Sequence, residues 1–368
     1  MVDKYYHLLM ERAIRPWAWG LMIWVAYALL CGLCIARIEP GNAPDERAHA
    51  EYALHLARTG SLPDPHAWPA DPYAYEAHQP PLYYWAGSLA LRALPVSSPL
   101  GQVRTLRAVS TLCHLAALVL TYLLCRRLGM SAAAALGPTA LAALLPMFVF
   151  IGSTVTNDAA VNLAGTAILL ATAASASGLW IGLAMGLGML SKSTLLPVAG
   201  ACLLYLLVKE RAWKKVCLAL LTAALIAGWF YLRNLRAYGD PWGYSHSSAY
   251  DPNRFGLSQL PSWLILYFQS FWGRFGQMTQ PMPTAVYVLL LAWTGLALGG
   301  WTRDWRTLAR KPGRPLLLLA LGLALAQNFV YGFFMSYQPQ GRFSFIAIAA
   351  WAVLFWDGLA SWLRTRSL

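Results

Sequence analysis

Between Pro44 and Tyr84 the chain concentrates carboxylates and imidazoles: Asp45, Glu46, His49, Glu51, His55, Glu76 and His78. An apolar run from Trp17 to Ile35 lies just before them, which puts Asp45 and Glu46 at a membrane–water boundary, where an ionisable pair is a functional feature by default. A carboxylate there can take the proton of an attacking hydroxyl, and Asp45 is the candidate base. Glu46, one residue on, points about 100° away if both sit on a helix, so the two do not share one task; it would orient Asp45 or a substrate hydroxyl. The competing use of Asp45 is ordinary capping of that helix, with His49, Glu51 and His55 on its wet face. Glu76, His78 and Gln79 could hydrogen-bond a polar ligand. The alternative is a divalent cation, which the i, i+2 spacing of Glu76 and His78 allows only where the chain is extended.

The elements that would carry these residues are set by composition. The 368 residues are 58% hydrophobic and only 12% charged, against about 25% charged in soluble domains; mean hydropathy is +0.48. The net charge of +13 does not point to nucleic acid, because the basic residues lie in short clusters between apolar runs, as the positive-inside rule requires. The partners implied are membrane lipids. All six cysteines, Cys31, Cys34, Cys113, Cys125, Cys202 and Cys217, lie within or at the ends of apolar runs. The Cys31–Cys34 pair matches CxxC but reads as two small packing residues. Gly182 and Gly186 form a GxxxG pattern suited to helix packing.

Lys4, Arg12 and Arg15 precede the first apolar run, which is long enough to cross a bilayer and reads as a retained anchor with a cytoplasmic start rather than a cleaved signal. Further runs at 110–125, 132–152, 158–176, 179–190, 194–208, 215–232, 283–301, 315–335 and 343–360 bring the expected number of spans to roughly ten. If 179–208 is a hairpin, the clusters Arg126/Arg127, Lys209/Arg211/Lys214/Lys215, Arg303/Arg306/Arg310/Lys311/Arg314 and Arg364/Arg366 all share the cytoplasmic side. Lys192 then turns on the same outer side as Asp45. The chain reads as one integral membrane domain over 1–368, with extracytoplasmic segments at 39–109 and 233–282. The first segment should hold two juxtamembrane helices, one from Pro44 to Thr59 stopped by Gly60 and one opening at Pro80-Pro81; the second should hold a short helix near 257–271.

Several motifs then line up in order: Asp45-Glu46 outside the first span, Glu76-Ala-His-Gln-Pro-Pro-Leu-Tyr-Tyr84, Thr156-Asn-Asp158, Gly188-Met-Leu-Ser-Lys192, Arg233-Asn234 and Gln340-Gly-Arg342. This set resembles the GT-C class of membrane glycosyltransferases, which includes protein O-mannosyltransferases and the aminoarabinose transferase of lipid A, and in particular a compact bacterial branch without a C-terminal soluble domain. The resemblance implies an all-α GT-C-like bundle of about ten transmembrane helices in the bacterial inner membrane, with its site on the extracytoplasmic face. It implies an inverting transfer of a sugar from a polyprenyl-phosphate donor to a lipid, glycan or protein acceptor. Asp45 and Glu46 would be catalytic; Glu76, His78, Gln79, Tyr83, Lys192, Arg233 and Arg342 would bind substrate, the three cations lying where a lipid phosphate would sit. Each cation has a plainer use as a snorkelling or helix-end residue, and Asp158 as a helix cap. The rival function is a transporter or flippase of lipid-linked sugars. That class favours duplicated spans and midplane charges, and neither is evident in this sequence.

Overall fold

A computed structural model describes residues 16–243, 256–332 and 337–363. The apolar runs are helices: α1 (Pro16–Arg37), α4 (Pro99–Arg127), α5 (Ala132–Ala143) and α6 (Pro146–Gly152), α7 (Asp158–Ala173), α8 (Gly178–Met189), α9 (Leu196–Val208), α10 (Trp213–Tyr238), α12 (Thr284–Arg310), α13 (Arg314–Val330) and α14 (Ile348–Ser361). The expected juxtamembrane helices are present as α2 (Glu46–Thr59), α3 (Leu82–Ala93) and α11 (Leu260–Trp272). Among the described residues the strands are one two-residue hairpin, β1 (Arg274–Phe275) with β2 (Gln280–Pro281). The protein is an all-α, multi-pass membrane protein.

The roughly ten expected spans correspond to apolar helical segments of unequal length. Among the described residues five helices, α1, α4, α10, α12 and the segment ending in α14, are long and apolar enough to cross a membrane. The predicted span 132–152 is α5 and α6, bent by 69°, because Pro146 cannot continue the ladder of α5 and starts α6 instead. Counting that pair raises the number to six, while α7, α8, α9 and α13 are shorter. The 12 residues of α8 rise only about 18 Å, well under a hydrocarbon core. Short helices leave their ends, and the polar side chains on them, inside the protein rather than in lipid.

Three apolar clusters hold the bundle. One joins α4, α7, α8, α9, α10, α13 and α14; a second joins α1, α5, α6 and α14; a third, built on Tyr52, Tyr83, Tyr84, Leu91 and Leu106, seats α2 and α3 on the end of α4. The GxxxG pattern packs α8 onto α10: a Cβ on Gly182 would lie 2.5 Å from the Ala219 carbonyl oxygen. A second close approach positions the site. Gly165 of α7 lies so near the 3₁₀ segment Gly341–Ala347 that a Cβ would stand 2.0 Å from the Ile346 carbonyl oxygen. That contact lays Arg342 over the start of α7.

Candidate active site

The turn from α1 into α2 is held by a buried ion pair. Arg107 of α4, fully buried, donates from Nε and Nη2 to the two carboxylate oxygens of Glu46, both at 2.8 Å. The same guanidinium donates to the carbonyls of Ile38 (2.7 Å) and Glu39 (3.1 Å) at the exit of α1. Glu46 also accepts from the backbone N–H of Gly41 (2.8 Å) and of Val155 (3.0 Å). Its acceptor sites are thus occupied by protein, and it faces away from the cavity described below.

Asp45 is placed by that clamp. It adopts left-handed backbone angles, φ 56° and ψ 10°, a conformation that costs about 1–3 kcal/mol for a residue with a Cβ. Its side chain makes no capping hydrogen bond, so the capping use of Asp45 is not realised. The carboxylate instead lines a cavity of about 480 Å³ with Glu76, His78, Gln79, Lys192 and Arg342. Tyr75, Trp242, Tyr331 and Phe343 supply aromatic walls, Leu196 and Val330 apolar ones, and Gln327, Asn328 and Gln338 further polar groups.

Four groups on the wall with Asp45 come from the segment between α1 and α4. His49, expected on the wet face of α2, is buried; its Nδ1 shares a hydrogen bond with the Tyr84 hydroxyl (2.8 Å) and lies 4.0 Å from Glu76 Oε1. Burial holds His49 neutral, lowering its pKa to about 3. Burial also raises Glu76 to about 8, the Asp45 charge adding to the effect and Lys192 opposing it. Near neutral pH Glu76 is therefore a carboxylic acid with a proton to donate. The Gln79 amide donates to His78 Nε2 (3.0 Å) and its oxygen accepts from Asn157 Nδ2 (3.1 Å), which ties this loop to the head of α7. Among the described residues no three His, Cys, Asp or Glu side chains converge as metal ligands.

The opposite wall is cationic. Lys192, in the turn between α8 and α9, donates to Asp158 Oδ1 at 2.5 Å, and Arg342 Nη1 donates to Asp158 Oδ2 at 2.8 Å. Both cations lie by the Phe343 ring, 5.7 and 5.0 Å from its centroid. Arg233, expected beside them, is elsewhere: it donates to the carbonyls of Ala77 (2.9 Å) and Pro63 (2.8 Å), a staple across the segment between α1 and α4. Tyr83 lies behind the wall as well, bonded to Ser110 Oγ (2.7 Å) and to the Thr156 N–H (3.1 Å). A second recess of about 300 Å³, almost wholly apolar, runs between α8, α9 and α10 and shares Leu196 with the cavity.

The arrangement joins the carboxyl groups of Asp45 and Glu76, the polar side chains of His78 and Gln79, two cations and an adjoining apolar recess. Residues 78–231 match a family model described as dolichyl-phosphate-mannose-protein mannosyltransferase. Among solved structures, ArnT from Cupriavidus metallidurans bound to undecaprenyl phosphate is similar with a TM-score of 0.60 at 19% identity, over 95% of this chain and 60% of that one. The chain has the GT-C fold. Two further GT-C structures from Archaeoglobus fulgidus agree. Its oligosaccharyltransferase in complex with Zn and sulfate gives a TM-score of 0.53 at 17% identity, over 92% and 48% of the two chains. AglB in complex with an inhibitory peptide and a dolichol-phosphate gives 0.55 at 14%, over 93% and 50%. The chain thus spans between about half and three fifths of the length of these GT-C proteins. No curated protein matches it in sequence.

Two residues of the site escaped the sequence reading. Asp158 was visible only as a motif echo and a cap, whereas it links both cations. Arg107 gave no usable signal, since its partner Glu46 is 61 positions away.

Proposed function

We propose that the protein is a GT-C glycosyltransferase that moves a sugar from a polyprenyl phosphate to an acceptor hydroxyl on the extracytoplasmic face, with inversion at the anomeric carbon. The observation that carries this reading is the cavity itself: Asp45, whose carboxylate has no hydrogen-bond partner among the described residues, shares it with Lys192 and Arg342, and the apolar recess adjoins it at Leu196. A lipid phosphate needs just that combination of fixed cations and an apolar path, and the ArnT structure similar to this chain is one bound to undecaprenyl phosphate.

In the reaction the acceptor oxygen attacks the anomeric carbon while Asp45 takes its proton. The bond from that carbon to the phosphate oxygen breaks, and its electron pair stays on the phosphate. Lys192 and Arg342 stand where that charge grows, already oriented, which is where fixed cations lower a barrier most. Protonated Glu76 donates to a sugar hydroxyl, and His78 and Gln79 hold further hydroxyls. Glu46 acts one step back, fixing the backbone that presents Asp45. A single displacement needs no carboxylate nucleophile. A transporter reading has less support, because these groups gather in one pocket and not along a path.

The test supplies purified protein with either a polyprenyl-phosphate sugar or a nucleotide sugar and follows release of the sugar. Turnover with the lipid donor, lost in Asp45→Asn, is the expected result. Turnover with the nucleotide donor alone would overturn the proposal.

A further inference from the structure

Asp158 does not line the cavity, yet each of its two carboxylate oxygens binds one of the two cations that do. It is 5% exposed, and it stands at the first turn of α7 behind Lys192 and Arg342. Two cations alone would present two positive charges to a phosphate. With Asp158 behind them the trio presents one. Building on the donor class proposed above, we infer that Asp158 is a specificity-determining residue: it sets the cationic wall to match the single charge of a phosphodiester donor and to release the more highly charged phosphomonoester product.

The charge change is intrinsic to the chemistry. In the donor the phosphate is esterified to both lipid and sugar and carries one negative charge. When the bond to the anomeric carbon breaks, the electron pair remains on the phosphate, the sugar leaves with the acceptor oxygen, and the acceptor proton passes to Asp45. The product is a monoester whose second ionisation falls near pH 6, so at pH 7 it already carries close to two negative charges. A wall of net charge +1 neutralises the donor and leaves the product one charge in excess. A wall of +2 would neutralise the product and retain it. At the few-ångström separations and partial burial of this site, one unit of charge shifts an affinity by about tenfold or more.

Geometry separates this role from simple scaffolding. Lys192 has three donors, and the ion pair to Asp158 engages one of them; its side chain keeps 13% of its exposure. Arg342 engages Asp158 with Nη1 and Gln340 with Nε, at 2.8 and 2.7 Å. Both can therefore meet a phosphate in the cavity without leaving Asp158. The carboxylate subtracts charge while the donors stay available.

The experiment measures binding of two lipids to purified full-length protein in detergent at pH 7, where Glu76 keeps its proton: undecaprenyl phosphate as the monoester, and its methyl ester as a phosphodiester with the same tail. The readout is the ratio of the two affinities. Asp158→Asn should raise the preference for the monoester at least tenfold, and under turnover should lower kcat through slow product release. Lys192→Gln, which leaves Asp158 in place and the wall neutral, should lower the ratio. The double variant restores a net charge of +1 and should return the ratio towards that of the wild type, which a purely structural Asp158 would not do. Should Asp158→Asn alone fail to fold, the double variant is compared with Lys192→Gln, which differs from it only at Asp158: a higher monoester preference in the double variant supports the inference, and an equal one overturns it. If the wild type binds both lipids and the ratio ignores these substitutions, the inference is overturned while the donor class stands. If the wild type binds neither lipid, both fall.

Discussion

Two aspartates in this molecule do the same thing in two places. Asp158 binds Lys192 and Arg342; Asp357, near the end of α14, binds Lys311 and Arg314. In each trio one carboxylate oxygen takes a lysine and the other an arginine. They lie at opposite ends of the bundle, since Arg342 precedes α14 and Asp357 is 15 residues further along it, roughly 20–25 Å by helical rise. The difference is what surrounds them. At the Asp357 end Arg314 is buried and also donates to the Pro312 carbonyl (3.1 Å), and Leu128 packs over Gly313. At the Asp158 end the two cations form a wall of a 480 Å³ cavity. One ionic arrangement therefore ties helices together at the Asp357 end, where the lysine is 21% exposed, and forms a cavity wall at the Asp158 end, where it is 13% exposed.

The largest effect should come from the residue that shares the Asp158 trio's cavity. Asp45→Asn is nearly isosteric and removes only the proton acceptor, so transfer should fall by a factor of about 10² to 10⁴ with an unchanged melting temperature. Near-normal turnover in the purified variant would remove Asp45 from the role of base.

The Asp357 trio should answer in the opposite way. Asp357→Ala leaves the buried Arg314 without its carboxylate and should cost about 3–5 kcal/mol of stability. A lowered melting temperature, with turnover per folded molecule preserved, is the expected pattern; the reverse pattern would break the comparison. Lys192→Ala should slow transfer by about 10² to 10³, the range for losing one preorganised group at a developing charge, and move the melting temperature less than Asp357→Ala does.

A smaller, pH-dependent effect sharpens the contrast at the Asp158 end. Glu76 holds its proton more tightly in the folded protein, so its contribution to stability is complete below pH 4.5 and is lost as pH rises to about 8. His49 runs the other way: its contribution is complete above pH 6.5 and is lost as pH falls towards about 3. The two slopes oppose each other between these windows, leaving a plateau and then a decline from pH 6.5 to 8. Glu76→Gln should flatten that decline, by at most about 1.4 kcal/mol per pH unit. Thermal melts across pH 4 to 9 check it, and an unaltered alkaline limb in the variant would show that Glu76 ionises freely.

Much of this contrast was out of reach of the sequence, for a physical reason. Helix positions follow from local hydropathy, and the juxtamembrane helices α2 and α3 from Gly60 and from Pro80-Pro81, so these elements were legible within a few residues. Charge bias put Asp45 and Lys192 on one side, and both do line one cavity. The count of spans was less legible, because an apolar stretch reads the same whether it is straight or, as at Pro146, bent. Partners of charged side chains were the least legible of all. Glu46 meets Arg107 and Asp158 meets Arg342 across 61 and 184 positions, pairings that depend on tertiary packing such as the Gly165 contact. For the same reason Arg233, which looked like a phosphate ligand beside Arg342, is a staple for backbone carbonyls.

The Glu46–Arg107 clamp has a consequence for how freely this protein can vary. The position of Asp45 is referenced to α4 and to the Val155 loop, with α1 attached to the same guanidinium only through its last carbonyls. Only 17% of the apolar window of α1 is buried in the protein. Its inner face is fixed to the bundle through Tyr27, whose hydroxyl meets His114 Nδ1 at 2.9 Å. Its outward-facing residues can drift in sequence while the proposed base keeps its register.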